Sequence, residues 1–322
     1  MSNHNLPRRP GHSLPSDQPE VDPRDEVLVV SGTITDVNCN FDTGHRDLVI
    51  SSVTRTLCLR SIPDEDGGTK DWPSKGDVVE VYGYLEALEG ADGVAVECYK
   101  LPAHQINLSM ISLSGCPPVA LDAMLTIVST VMSLSDDLRQ FLTQVLMTPG
   151  TIDRFMTAPA SRQAHEAFPG GLAVHTADIL KRLQSLNEAD FQSATTREVL
   201  LVAAILHDLG KITTVSGFAN LQVSDEMRLI GLIDGPPWNT LSQRRKSICE
   251  FLLYLIDPVR RRETFCAVPE VHHLLWADRV TASLDLSRRA FADANAWAST
   301  ATIRLCESKS ARSYRAVRSQ RR

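Results

Sequence analysis

The chain has 322 residues, 43% of them apolar and 22% charged, the proportions of an ordinary globular protein long enough for two domains. A formal net charge of -6 offers no global attraction for nucleic acid or an anionic membrane surface, and the longest uninterrupted apolar run, 199–206, is far too short to span a bilayer. Seven cysteines without a CxxC pair argue against a disulfide framework or a structural zinc site and for a reducing, cytoplasmic compartment.

Residues 1–25 hold five prolines and no apolar periodicity, which predicts a disordered arm rather than a secretory signal, with His4 and His12 solvated. From Glu26 the pattern changes to short β-branched runs at 27–37, 47–53, 56–62, 78–87 and 94–101. Turn signals fall at Gly76-Asp77 and across 89–93. Five short strands in this space predict a small closed barrel over 26–102. Cys58 and Cys98 read as core thiols.

The strand-glycine-strand pattern, ending in a hairpin, resembles an OB-fold. Such barrels hold single strands through a basic groove and stacking aromatics. Here 36–100 carries 13 acidic residues against 6 basic ones, so the barrel repels phosphate overall. Trp72, Tyr82, Tyr84 and Tyr99 are candidates for stacking on bases and equally for packing in the core. Nucleic-acid binding and docking to a partner both remain readings of this barrel.

Residues 103–118 read as a linker with a break at Gly115-Cys116-Pro117-Pro118. Helical patterns then follow at 119–134, 136–147, 151–157, 171–186, 194–209, 240–256 and 270–296, with 217–237 partly loop and a break at Gly235-Pro236-Pro237. The whole is an α+β multidomain chain, a small OB-like β-barrel followed by an all-α domain over 119–300. In the tail, 301–322, residues 309–322 carry six basic residues and no acid. They read as disordered, either solubilising or an electrostatic anchor for nucleic acid, and the acidity of the rest favours the anchor.

The helical half is organised around 199–212, where an apolar helix ends in His207-Asp208 and closes on Leu209-Gly210-Lys211. A buried histidine beside a carboxylate is costly to desolvate unless paired or metal-bound. His175 lies one turn into the helix after the Phe168-Pro169-Gly170-Gly171 turn, and Asp278 lies on the long last helix. Two imidazoles and two carboxylates from three helices can converge on a cation in a bundle. Mixed nitrogen and oxygen donors suit Mn, Fe, Co, Ni or Zn. Gly210 reads as a left-handed helix end. Asp178 is either an acceptor that orients an imidazole or a surface residue.

His175, then His207-Asp208, then Asp278, with the flanking words GGLAVHT and AAILHDLGK, resembles the HD-domain metal-dependent phosphohydrolases over 119–296. The resemblance implies a divalent metal (Mn, Fe, Mg, Co, Ni or Zn) held by His175, His207, Asp208 and Asp278, with Asp208 and Lys211 in the catalytic machinery. Lys211 then contacts phosphate, its alternative being a favourable place at a helix end. An OB-like barrel ahead of such a domain is similar to the YhaM-type 3′-to-5′ exoribonucleases, which share the run that here reads PASRQAHEAFPGGLAVHT and HDLGK. This implies a nuclease acting on single-stranded RNA or DNA, with no membrane partner and with oligomerisation open. The same run, with Ala277-Asp278-Arg279 and Ser283, also resembles the TraI-type (MOBH) relaxase domain of conjugative elements, which implies instead a DNA-processing or accessory role for a mobile element. Two departures from the exoribonucleases matter. Leu232 stands where their Gly-His word has its histidine, and their paired histidines read His165-Glu166 here. Both favour one metal over two. His165 is an outer ligand, a phosphate contact or a loop residue, and His272 and His273 are solvated or core residues or, being close to Asp278, candidates for an outer site.

Overall fold

The computed structural model describes residues 27–39, 45–61, 72–214, 224–257, 266–292, 294, 298–304 and 311–315. The expected arm at 1–25 lies outside them, as do 62–71, 215–223, 305–310 and 316–322.

Strand β1 (Val27–Cys39) is followed by β2 (Arg46–Ser51), β3 (Thr56–Ser61), β4 (Val78–Leu88) and β5 (Ala91–Lys100). They close a barrel in the order β1-β2-β3-β5-β4, an OB-like Greek-key order. β1 is long enough to serve two neighbours, pairing its first half with β4 and its second half with β2. Its alternation puts Leu28, Val30 and Ile34 inside with Leu48, Ile50 and Val81, while Val29 faces out. This is the period-two pattern of a strand with one buried face. The turn expected across 89–93 is shorter: Glu89-Gly90 make it, and Ala91 already belongs to β5. Of the aromatic candidates, Trp72 packs against the barrel core. Tyr99 is exposed and meets Tyr82 edge to face, with centroids 6.1 Å apart.

The stretch expected as a linker is packed. Leu108 and Ile111 are buried in the helical core. Thr33 Oγ1 donates to the Met110 carbonyl at 2.9 Å, and Val53 N–H donates to the Ser109 carbonyl at 3.1 Å. The connection therefore ties the barrel to the helices.

The helices are α1 (Leu121–Met132), α2 (Asp136–Leu146), α3 (Thr151–Thr157), α4 (Gly171–Gln184), α5 (Ala194–Leu206), α6 (Lys211–Thr214), α7 (Asp225–Ile233), α8 (Pro236–Arg244), α9 (Lys246–Ile256) and α10 (Pro269–Ala292). The Ser193 side chain caps α5 by accepting from Thr196 N–H. Every residue of α5 from Val199 to Leu206 is buried. It is the central post, packed by α4, α9 and α10. None of the described helices is long and apolar enough to cross a membrane.

Three further sequence expectations change. The helix expected over 240–256 is two helices, α8 and α9, broken at Arg245, whose φ of -140° and ψ of 55° leave the helical region. Pro236 and Pro237 sit in the first turn of α8, where their missing N–H groups cost nothing. The break aims Arg244 and Arg245 at Asp137 on α2, at 3.4 and 3.9 Å, while α9 continues onto α5. Second, part of the expected disordered tail is a strand. Thr300–Arg304 (β6) pairs antiparallel with Ala311–Arg315 (β7), and the hairpin rests on α10. Ala301, Ile303 and Tyr314 give the pair one face to bury, with Ala301 opposite Tyr314, while Thr302, Arg312 and Arg315 stay exposed. Third, Gly210 is not left-handed, since it is absent from the glycines with positive φ. Its reason is close approach: a Cβ there would stand 1.9 Å from the Asp225 carbonyl oxygen at the start of α7.

Candidate metal centre

Three segments bring the sequence candidates together. His175 is the fifth residue of α4 and fully buried. His207 and Asp208 occupy the turn that follows α5 rather than its last turn. Asp278 projects from the middle of α10. The turn is held by its own backbone, with His207 N–H donating to Ala203 and Lys211 N–H to the Asp208 carbonyl at 2.8 and 2.9 Å.

Asp208 is the hub. Its Oδ2 lies 3.6 Å from His175 Nε2, 3.4 Å from His207 Nε2 and 2.5 Å from Lys211 Nζ. Asp278 Oδ1 reaches His175 Nε2 at 3.2 Å. His207 Nδ1 is 2.8 Å from the Ala204 carbonyl. A carbonyl only accepts, so Nδ1 carries a proton and Nε2 is the nitrogen turned toward Asp208, available to a cation once it is deprotonated. One donor atom from each of His175, His207 and Asp208 lies within 4.8 Å of the other two. Metal–ligand bonds of about 2.0–2.2 Å span that spacing with little adjustment. Two neutral imidazole nitrogens and two carboxylates suit a divalent first-row ion, so the residues fit the expected metal.

The electrostatics follow from burial in mutual contact. Desolvation works to raise the Asp208 carboxyl pKa, but His207, Lys211 and His175 outweigh it and hold it well below the usual range. Asp278 is likewise lowered against its burial, chiefly by the His175 hydrogen bond. Burial pushes His175 down, while Asp278, Glu166 and Asp208 push it up, to about 9. A raised histidine pKa stabilises the fold fully below its unfolded value of 6.5, and that stabilisation is lost as pH rises through 9. The lowered carboxylates act in the other direction, their contribution fading as pH falls below about 4. The chelated, metal-free protein is therefore expected to lose on the order of 3 kcal/mol between pH 6.5 and 9. Thermal melts across that range check it, and a flat Tm would count against it. Bound metal takes the proton's place and should flatten the curve.

Glu166 was not legible as a site residue. It is 4% exposed and its Oε2 lies 2.7 Å from His165 Nδ1 and 3.4 Å from His175 Nδ1. Burial raises its pKa, but the two histidines outweigh this and lower it. Its backbone N–H donates to Asp285 Oδ2 at 2.9 Å. Asp285 carried a signal: seven residues after Asp278, it shares that face of α10. Glu166 carried only its place beside His165. His165 is brought to the cluster, stacked 4.7 Å from the His175 ring.

Other candidates are placed elsewhere. His272 Nε2 bonds the Cys266 backbone at 3.2 Å. His273 Nε2 lies 3.1 Å from the Asp190 carbonyl, its ring against Phe191. Both sit about a turn or more before Asp278 and are occupied in tethering neighbouring loops. Asp178 pairs with Lys181 at 3.7 Å on the surface of α4. Leu232, on α7, packs against the helical core. Lys211 opens α6, and its ammonium lies on Asp208.

Comparison with known proteins returns proteins named 3'-5' exoribonuclease YhaM. The chain is 26% identical over 157 residues to that of Bacillus subtilis (strain 168), covering 48% of this chain and 49% of the relative. It is 27% identical over 158 residues to that of Geobacillus sp. (strain WCH70), covering 48% of each. It is 36% identical over 81 residues to that of Listeria monocytogenes (serotype 4b, strain CLIP80459), a quarter of each chain. No protein-family model matches the chain, and no solved structure matches it. The chain spans about half the length of the curated relatives it matches, and across that half it is similar to exoribonucleases named YhaM.

Proposed function

We infer that this chain is a divalent-metal-dependent phosphoester hydrolase acting on single-stranded nucleic acid from the 3′ end, with one ion held by His175, His207, Asp208 and Asp278. The observation that carries the reading is the convergence of His175, His207 and Asp208 on one buried point, with Asp278 on the His175 nitrogen that faces it. A divalent ion bound there acidifies water and polarises a phosphoryl group. The chain's own residues do the rest. Asp208 balances the charge of Lys211, which is near enough to turn its ammonium to a phosphate oxygen. Leu232 in apolar packing favours a single ion. The names of the matched relatives make RNA the first substrate to try.

Binding of the strand is assigned to two places. Exposed Tyr99 beside Tyr82 on the barrel offers a stacking surface, though Glu80 and Glu97 accept hydrogen bonds from the two hydroxyls and keep that surface acidic. Arg312 and Arg315 stand exposed on the hairpin that rests on α10, the helix that carries Asp278. Phosphate contacts there would supply the salt-dependent part of affinity. The likeness to relaxases draws no support from the matched relatives.

The test is purified chain with Mn or Mg on end-labelled single-stranded RNA and DNA. Shortening from the 3′ end, stopped by chelator, is the expected result. Metal-loaded protein that retards the strands yet cleaves none would replace the enzymatic reading with an accessory, binding role.

A further inference from the structure

The metal reading uses one nitrogen of His175 and leaves the other without a task. His175 Nε2 faces Asp278 and Asp208, at 3.2 and 3.6 Å. Nδ1 is buried and completes no hydrogen bond among the described residues. The group that faces it is the Glu166 carboxylate, with Oε2 at 3.4 Å. An imidazole that gives Nε2 to a cation keeps its proton on Nδ1, and a buried N–H needs an acceptor.

Glu166 is placed with care for that task. Its φ of 40° lies in the left-handed region, which a residue with a Cβ enters only where its surroundings impose it. Asp285 accepts from its N–H at 2.9 Å. Its carbonyl accepts from Ala160 N–H at 3.1 Å. The Gly171 backbone presses on it so closely that a Cβ there would stand 1.9 Å from the Glu166 carbonyl oxygen. Arg289, which contacts the Ala164 carbonyl and lies 3.9 Å from Asp285, holds the same loop to α10.

We propose that Glu166 is a positioning residue for His175: it accepts a hydrogen bond from Nδ1–H, fixes the ring in that tautomer and turns the Nε2 lone pair to the cation. The proposal rests on the metal reading above. His165 Nδ1, 2.7 Å from the same carboxylate oxygen, steadies Glu166 from the other side. Glu166 as ligand of a second ion with His165 and His175 is the competing role, and the number of zinc equivalents bound separates the two. Carboxylate partners of this kind hold ring orientation and donor basicity, and losing one costs about ten- to hundredfold in metal affinity.

The experiment titrates Zn into the 322-residue wild type, Glu166→Gln, Glu166→Leu and His207→Ala by calorimetry. It then records the imidazole N–H signals of the zinc-loaded, nitrogen-labelled proteins. Wild type should take up one equivalent. Glu166→Gln keeps an acceptor and should bind about tenfold more weakly, and Glu166→Leu about a hundredfold, each still with one equivalent. The His175 Nδ1 proton should shift in Glu166→Gln and exchange away in Glu166→Leu, a change that a side chain serving only the fold would not produce. Zinc affinity within twofold of wild type in Glu166→Leu overturns the proposal. So does a wild type that binds two equivalents of which Glu166→Gln keeps one. Wild type that binds no zinc, or His207→Ala that binds as well as wild type, is a separate outcome: it removes the metal reading, and the proposal with it.

Discussion

Asp208→Asn is expected to abolish metal uptake and to lower phosphoesterase turnover at least a thousandfold, about 4 kcal/mol of transition-state stabilisation. The substitution keeps shape and removes charge, and charge is what this position supplies. One oxygen of Asp208 faces His175, His207 and Lys211 within 3.6 Å. An amide in its place cannot balance a divalent ion and cannot balance Lys211. Leaving buried cations uncompensated costs about 3–5 kcal/mol in the metal-free fold, so the variant carries a stability penalty of its own. Asp278→Asn separates the two effects. Its side chain is 31% exposed and meets the cluster through the His175 imidazole. It should therefore melt close to wild type, on the order of 1 kcal/mol lower, while binding metal far more weakly. Metal content by elemental analysis, melts in chelator and turnover on labelled RNA make the comparison. Two folded variants that both retain one tightly bound ion would place the centre elsewhere.

The barrel was readable because each of its strands carries its own signal. The alternation of Leu28, Val30 and Ile34 against exposed Val29 states both the strand and its inner face. The histidine–aspartate cluster was readable for a different reason: His175, His207-Asp208 and Asp278 stand in words whose flanking glycines and apolar residues fix local geometry. What stayed hidden depends on partners distant in sequence. Arg312 and Arg315 look like a solvated basic tail until Thr300–Arg304 supplies the strand opposite and α10 the surface beneath. The break at Arg245 has no proline or glycine to announce it, and around it both arginines meet Asp137 on α2, a partner distant in sequence. Glu166 offers no periodicity at all. Its role comes from a strained loop conformation, which depends on Asp285 more than a hundred residues later. Gly210 was read as a conformational glycine and is a steric one, because the chain that approaches it, at Asp225, arrives from another helix.

The glycines make the same distinction experimentally, and Gly171→Ala is expected to be strongly damaging. Its Cβ would stand 1.9 Å from the Glu166 carbonyl oxygen and 2.9 Å from the carbonyl carbon, both backbone atoms. That loop cannot retreat cheaply, since the same carbonyl accepts from Ala160 and the same residue's N–H is bound to Asp285. Relief requires Glu166 to move by more than an ångström, and His165 with it. Overpacking a close contact costs about 1–3 kcal/mol and occasionally more, and a backbone partner on both sides puts Gly171 at the upper end. Because Glu166 faces His175, zinc affinity should fall together with stability. Gly210→Ala meets the Asp225 carbonyl at the same 1.9 Å. It should cost a similar amount, acting instead through the turn that carries Asp208 and Lys211. Gly231→Ala is the control of opposite sign. It lies exposed within α7 with nothing inside 4 Å of its Cβ, so the better helix former should stabilise by about 0.5–1 kcal/mol. Urea melts of the three variants, paired with zinc titrations, read both quantities. Gly171→Ala within 1 kcal/mol of wild type, with unchanged zinc affinity, would mean that the loop yields freely and that the placement of Glu166 is not held by this contact.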